Sequence, residues 1–148
     1  MAHAVTGFIT KTNVVYQICF RYPSLRAVAL EQGFSLFPLT DEILVKLHLP
    51  HSNNLENLPP LPMGLTNFLV ELSTLCPLIY FKTEYFGGEG VQLALAFEDG
   101  KIIFGPAKGA TGPINQALQL IDVKAKRNHD EFDTIGLGQY RFTNDWLK

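Results

Sequence analysis

Residues 91–97 restrict the fold of this chain more than any other segment. Val91, Leu93, Leu95 and Phe97 are apolar, and Ala94 and Ala96 between them are small and apolar too. Side chains alternate across a strand, so one that is apolar on both faces is central in its sheet and has helices covering at least one side. Two neighbours are legible. Residues 78–85 form an apolar run before it, and residues 101–104 return after the tight-turn signal Glu98-Asp99-Gly100.

Between the first two of these strands lies Tyr85-Phe86-Gly87-Gly88-Glu89-Gly90-Val91-Gln92. Strand chemistry disfavours glycine, so such a cluster marks a bend, a bulge or a close approach by another molecule. Exposed backbone amides there suit an anion. Yet no G-x-x-x-x-G-K-[S/T] is present and no helix follows at once, which excludes a phosphate loop and a dinucleotide fingerprint. A bent connection between neighbouring strands is the plainer reading. Gln92 enters the central strand on the Ala94 and Ala96 face and needs hydrogen-bond partners, which the loop itself can offer.

The best helix is read from Leu65, Phe68, Leu69, Leu72, Leu75 and Cys76, at i, i+3, i+4 and i+7 spacing, with Pro77 as terminator. A second opens at Thr111 or Gly112 with Pro113 in its first turn and carries Ile114, Ala117, Leu118 and Ile121. Thr40 caps a third, with Asp41 and Glu42 favoured by the helix dipole and Leu39 and Leu44 placed as a staple. Residues 13–22 fit either period, but Pro23 and a cap at Thr12 or Asn13 tilt them to helix. Residues 4–9, and two pieces around Glu31-Gln32-Gly33, read as strands. Residues 49–62 read as a flexible loop and residues 105–112 as a strand-to-helix loop.

The expected fold is therefore a single α+β domain. Its sheet is mixed but mainly antiparallel, with the helices at 65–76 and 113–121 packed on one face. At 148 residues such a domain buries about 70% of the surface its unfolded chain exposes. It needs no metal, cofactor or disulfide to fold. Cys19 and Cys76 lie inside apolar patterns and read as buried thiols rather than a redox or metal pair.

Composition removes several function classes. The net charge is −2 and the densest basic run, Lys124-Ala125-Lys126-Arg127, is short and followed by Asp130-Glu131, so nucleic-acid binding is not expected. No apolar run is long enough to span a membrane, and Met1-Ala2-His3-Ala4 does not read as a signal peptide; the expected location is the cytoplasm. His3, His48 and His51 have no ligand spacing and read as surface or loop residues. No G-x-S-x-G elbow is present, and the cysteines have no obvious histidine neighbour, which leans against a nucleophile-based enzyme. His129, Asp130, Glu131 and Asp133 have metal-ligand chemistry, but adjacent residues rarely converge on one ion. They read as a turn in which Asp130 caps a short helix and Phe132 packs inward.

Four segments form a recognisable set. They are Tyr85-Phe86-Gly87-Gly88-Glu89-Gly90-Val91-Gln92, Gly112-Pro113-Ile114-Asn115-Gln116-Ala117-Leu118, the stretch Asp130-Glu131-Phe132-Asp133-Thr134-Ile135-Gly136-Leu137-Gly138, and Arg141 with Asp145-Trp146. The set resembles a family of small uncharacterised bacterial proteins, over about residues 78–147. Some small α+β proteins of that kind serve as immunity proteins for secreted toxins. The resemblance implies a non-catalytic module that docks a protein partner, and it carries no catalytic residues.

Two functions follow as expectations. The first is an immunity-like binding protein whose aromatic and acidic residues (Tyr85, Phe86, Glu89, Asp130, Glu131) meet a basic, toxin-like partner. The second is a small-ligand sensor or enzyme in which the glycine loop and the 129–133 turn meet at one cleft. The candidate binding residues are Tyr85, Phe86, Gly87, Gly88, Glu89, Gln92, Asp130, Glu131, Asp133 and Arg141. A homodimer through edge strands near the N-terminus is a further expectation.

Overall fold

Alternation along the strands sorts their side chains into two apolar layers, and a sheet lies between them. The computed structural model describes residues 2–49, 63–87 and 89–148. Six strands, β1 (Thr6–Lys11), β2 (Val28–Ala29), β3 (Phe34–Pro38), β4 (Leu78–Phe86), β5 (Glu89–Glu98) and β6 (Lys101–Gly109), form one sheet in the order β2-β3-β1-β4-β5-β6. Every pairing between these strands is antiparallel. The parallel element is a lone bridge between Ala4 and Phe142. The expected α+β domain is thus present, with an antiparallel sheet.

Five α-helices accompany it among the described residues: α1 (Val15–Arg21), α2 (Asp41–Lys46), α3 (Met63–Leu72), α4 (Pro113–Leu120) and α5 (Glu131–Ile135). They do not share one face. Ile18, Ile43, Leu65, Phe68, Leu69 and Leu72 from α1 to α3 pack on Phe8, Phe37, Leu78, Tyr80, Leu93, Leu95 and Phe97. Ile114, Ala117, Leu118 and Ile135 from α4 and α5 pack on Ile9, Leu36, Ile79, Phe81, Ala94 and Ala96. The expectation that α3 and α4 lie together is corrected, and the reason is in β5 itself. Both of its faces are apolar, so both need cover.

The layers differ in texture. Phe8 stacks on Phe37 with ring centroids 4.6 Å apart, and Phe68 meets Phe8 edge-on at 6.1 Å, tying α3 to β1 and β3. On the other side Ala94 and Ala96 are fully buried and short, so α4 lies against the sheet backbone through Ala117 and its apolar neighbours. Cys19 and Cys76 are free and half-buried at the edge of the first layer. Burial pushes the Cys76 thiol up to about 11, so it stays protonated and a poor nucleophile.

The two expected caps form, whereas α3 ends at Leu72, before the expected stop at Pro77. The Thr40 hydroxyl accepts from the Ile43 N–H at 3.1 Å, and Asp130 caps α5 by accepting from Asp133 N–H at 2.8 Å. The stretch 105–112 is not a loop throughout, because β6 continues to Gly109. It does so past register shifts opposite Ala94, Ala96 and Phe97. Gly105, at φ +86, lies so close to the Ala94 carbonyl that a Cβ there would collide with it. Of the expected loop at 49–62, residues 50–62 lie outside the described residues.

The sheet edges bear on self-association. The N-terminal strand β1 is interior, between β3 and β4, and the edge on that side is β2 with two residues. So short an edge offers little ladder to a second copy. The longer edge, β6, carries Lys101, Pro106 and Lys108 and the register shifts, all of which blunt strand pairing. α1 leaves Tyr16 and Phe20 stacked and exposed, at 80% and 79%.

Truncation tests the two-layer core. Leu69→Ala and Leu118→Ala each remove a fully buried side chain, one per layer. Each is expected to cost about 2–5 kcal/mol in a urea titration. A cost at only one position would show that one helical layer is peripheral.

Candidate functional site

Gln92 organises the site. It is 8% exposed and sits where β5 passes under the start of α4. Its Oε1 accepts from the Ile114 N–H at 2.7 Å, and its Nε2 donates to the Tyr85 hydroxyl at 2.9 Å. Tyr85 in turn donates to the Ala110 carbonyl. The Ile114 N–H is one of the unpaired donors of a helix start, so a strand side chain caps this helix. The cap residue itself, Gly112 at φ +107, has no side chain to do so.

The second wall comes from α5. Asn115 of α4 donates from Nδ2 to Asp130 Oδ2 at 3.1 Å and accepts the Phe132 N–H at 2.9 Å. One turn on, Gln119 donates to Glu131 Oε2 at 3.1 Å. These contacts hold the first turn of α5 against the first turn of α4.

His3 forms the third wall and is half-buried, held more tightly than a surface or loop residue need be. It pairs with Tyr85 through both backbone groups and packs edge-on against Phe132 at 5.5 Å between centroids. Its Nδ1 lies 2.7 Å from Thr83 Oγ1 and its Nε2 lies 3.3 Å from the Leu137 carbonyl. A carbonyl only accepts, so the ring proton belongs on Nε2. Thr83 then donates to Nδ1 while accepting from Val5 N–H at 3.0 Å. Burial depresses the His3 pKa, and the Leu137 carbonyl opposes this only in part.

Together these residues enclose a cleft of about 270 Å³, lined by His3, Tyr85, Gln92, Thr111, Gly112, Ile114, Asn115, Asp130 and Phe132. The two segments singled out in the sequence do meet there, through Tyr85 and Gln92 on one side and Asp130 and Phe132 on the other. The remaining candidates fall outside its lining. Phe86 is 59% exposed and pairs with Glu89 at the hairpin end, where Gly87 takes φ +64. Gly88 lies outside the described residues. Gly90 abuts Glu84 O and Tyr85, where a Cβ would collide, so this glycine serves strand packing. Glu131 turns to Gln119, Asp133 is exposed on α5, and Arg141 is exposed with its carbonyl accepting from Ala4 N–H at 2.7 Å.

His3, Thr111, Gly112, Ile114, Asn115 and Phe132 are lining residues that the sequence candidates omit. The cue available was the helix start Gly112-Pro113-Ile114-Asn115, whose polar fourth member has no local partner. Among the described residues no group of three or more His, Cys, Asp or Glu side chains is placed to hold a metal ion. No helix among them is long and apolar enough to cross a membrane. No family model, curated protein or solved structure matches the chain.

Two outcomes test this geometry. Gln92→Leu strands the Ile114 N–H and should cost about 1–3 kcal/mol in urea denaturation. The depressed His3 pKa sets a pH dependence. Between its folded value and the ordinary 6.5, the unfolded chain binds more protons than the folded one, so stability rises with pH there. Thermal melts from about pH 7.5 to about pH 5.5 should show a loss of stability that His3→Gln reduces.

Proposed function

We propose that this protein binds a small molecule in the cleft between β4, β5, α4 and α5. The supporting observation is the convergence of Tyr85, Gln92, Asn115, Asp130 and Phe132 on one concavity of about 270 Å³. Two aromatic rings and a few placed polar groups line it, the usual make-up of a ligand site. The volume lies at the small end of such sites and suits a metabolite rather than a large cofactor.

Binding suits the geometry better than catalysis. Both nitrogens of His3 are engaged, and the Tyr85 hydroxyl is held by Gln92 and Ala110. Asp130 is exposed at the rim and already caps α5. None of these groups is placed beside a nucleophile as a free proton shuttle.

Docking of a basic, toxin-like protein has less to work with. Phe86 and Glu89 are exposed at the hairpin end, but Asp130 and Glu131 are already bonded to Asn115 and Gln119.

A fragment screen by two-dimensional NMR separates these readings. Small ligands are expected to shift the amides of Thr111, Gly112, Asn115 and Phe132, and Phe132→Ala should weaken them about tenfold through lost ring contact. Shifts confined to Phe86 and Glu89 would defeat the cleft reading.

A further inference from the structure

We propose that the cleft selects a small organic ammonium ion with an apolar body. The inference rests on the small-ligand reading above and adds the charge of the ligand.

The first ground is which hydrogen-bonding groups are already spent. Two helix starts meet at the cleft, and such ends ordinarily favour anions. Here the Ile114 N–H goes to Gln92, the Phe132 N–H to Asn115 and the Asp133 N–H to Asp130. The side-chain amides of Gln92 and Asn115 donate to Tyr85 and Asp130. His3 is held neutral, with its Nε2–H on Leu137. Three backbone donors of the two helix starts are therefore committed within the protein.

The second ground is what remains on offer. Asp130 accepts one hydrogen bond on each carboxylate oxygen, so each oxygen keeps acceptor capacity. It is the one formally charged side chain in the lining, which contains neither lysine nor arginine among the described residues. The nearby cations Lys124, Lys126 and Arg127 are exposed and outside that lining. Tyr85 and Phe132 put two aromatic rings in the lining, and aromatic quadrupoles attract a cation. The same rings give the apolar part of the ligand its contact.

The test uses three probes of one shape on the full chain: benzylamine, which is an ammonium ion at neutral pH, benzyl alcohol and benzoate. Affinities are read from the cleft amides by NMR titration. Benzylamine is expected to bind about tenfold more tightly than benzyl alcohol, and benzoate more weakly than both. Asp130→Asn, which keeps an N-cap oxygen, should bring the ratio of benzylamine to benzyl alcohol affinity from about ten to about one. Asp130→Ser also keeps a capping oxygen, so a folding defect in one variant leaves the other as the test. Equal binding of benzylamine and benzyl alcohol at the cleft would overturn the charge selection while the small-ligand reading stands. Tighter binding of benzoate would do the same. If no probe moves the cleft amides, both readings fall.

Discussion

A buried amide that has to be satisfied governs the geometry of the site. Gln92 sits at the boundary where β5 changes from exposed to fully apolar. An unpaired side-chain amide there would cost a few kcal/mol. It is satisfied by the first free N–H of α4 and by the Tyr85 hydroxyl, which fixes both partners. The start of α4 is thereby pinned over β5, and Tyr85 is held across the 109–112 turn through Ala110. One wall of the cleft follows from that residue's needs.

A second constraint comes from the unequal faces of β5. Leu93, Leu95 and Phe97 fill a deep aromatic layer under α1 to α3. Ala94 and Ala96 leave room for α4 close to the sheet on the other side. The helix starts beside Gln92, and its half-buried Asn115 and exposed Gln119 bond to residues at the start of the short helix α5. Where the sheet, the helix and the cross-linked turn stop filling space, a concavity is left. Its polar character follows from the same bonds. Capping consumes donors and leaves a carboxylate and two aromatic rings.

The glycine cluster takes on a different meaning in this setting. Gly90 is required by the close approach of β4, and Gly87 by its positive φ. They shape the hairpin. The residues on either side, Tyr85 and Gln92, are the ones that reach the cleft.

Much of the secondary structure was legible because it rests on local chemistry. The alternation of residues 91–97, the periodicity of 65–72, the Thr40 and Asp130 caps and Pro113 in the first helical turn each act within a few residues. The single α+β domain follows from them. Two further features depended on distant neighbours. Helices at similar spacing give no sign of which face of a sheet they cover, and only the completed sheet, apolar on both sides, divides α3 from α4. The extension of β6 past Gly105 needed β5 alongside, since a register shift exists only between two strands. The site was legible as two segments, Tyr85–Gln92 and the Asp130 turn, but not as a cleft. His3 lies 80 residues from Thr83 and 134 from Leu137 in the chain. Asn115 looks like any polar helix residue until α5 is set beside it. Sequence by itself determined which pieces form strands and helices, because their propensities are local. Tertiary structure decided which polar side chains are bonded within the protein and which keep free capacity, because hydrogen-bond partners are assigned only when the layers meet.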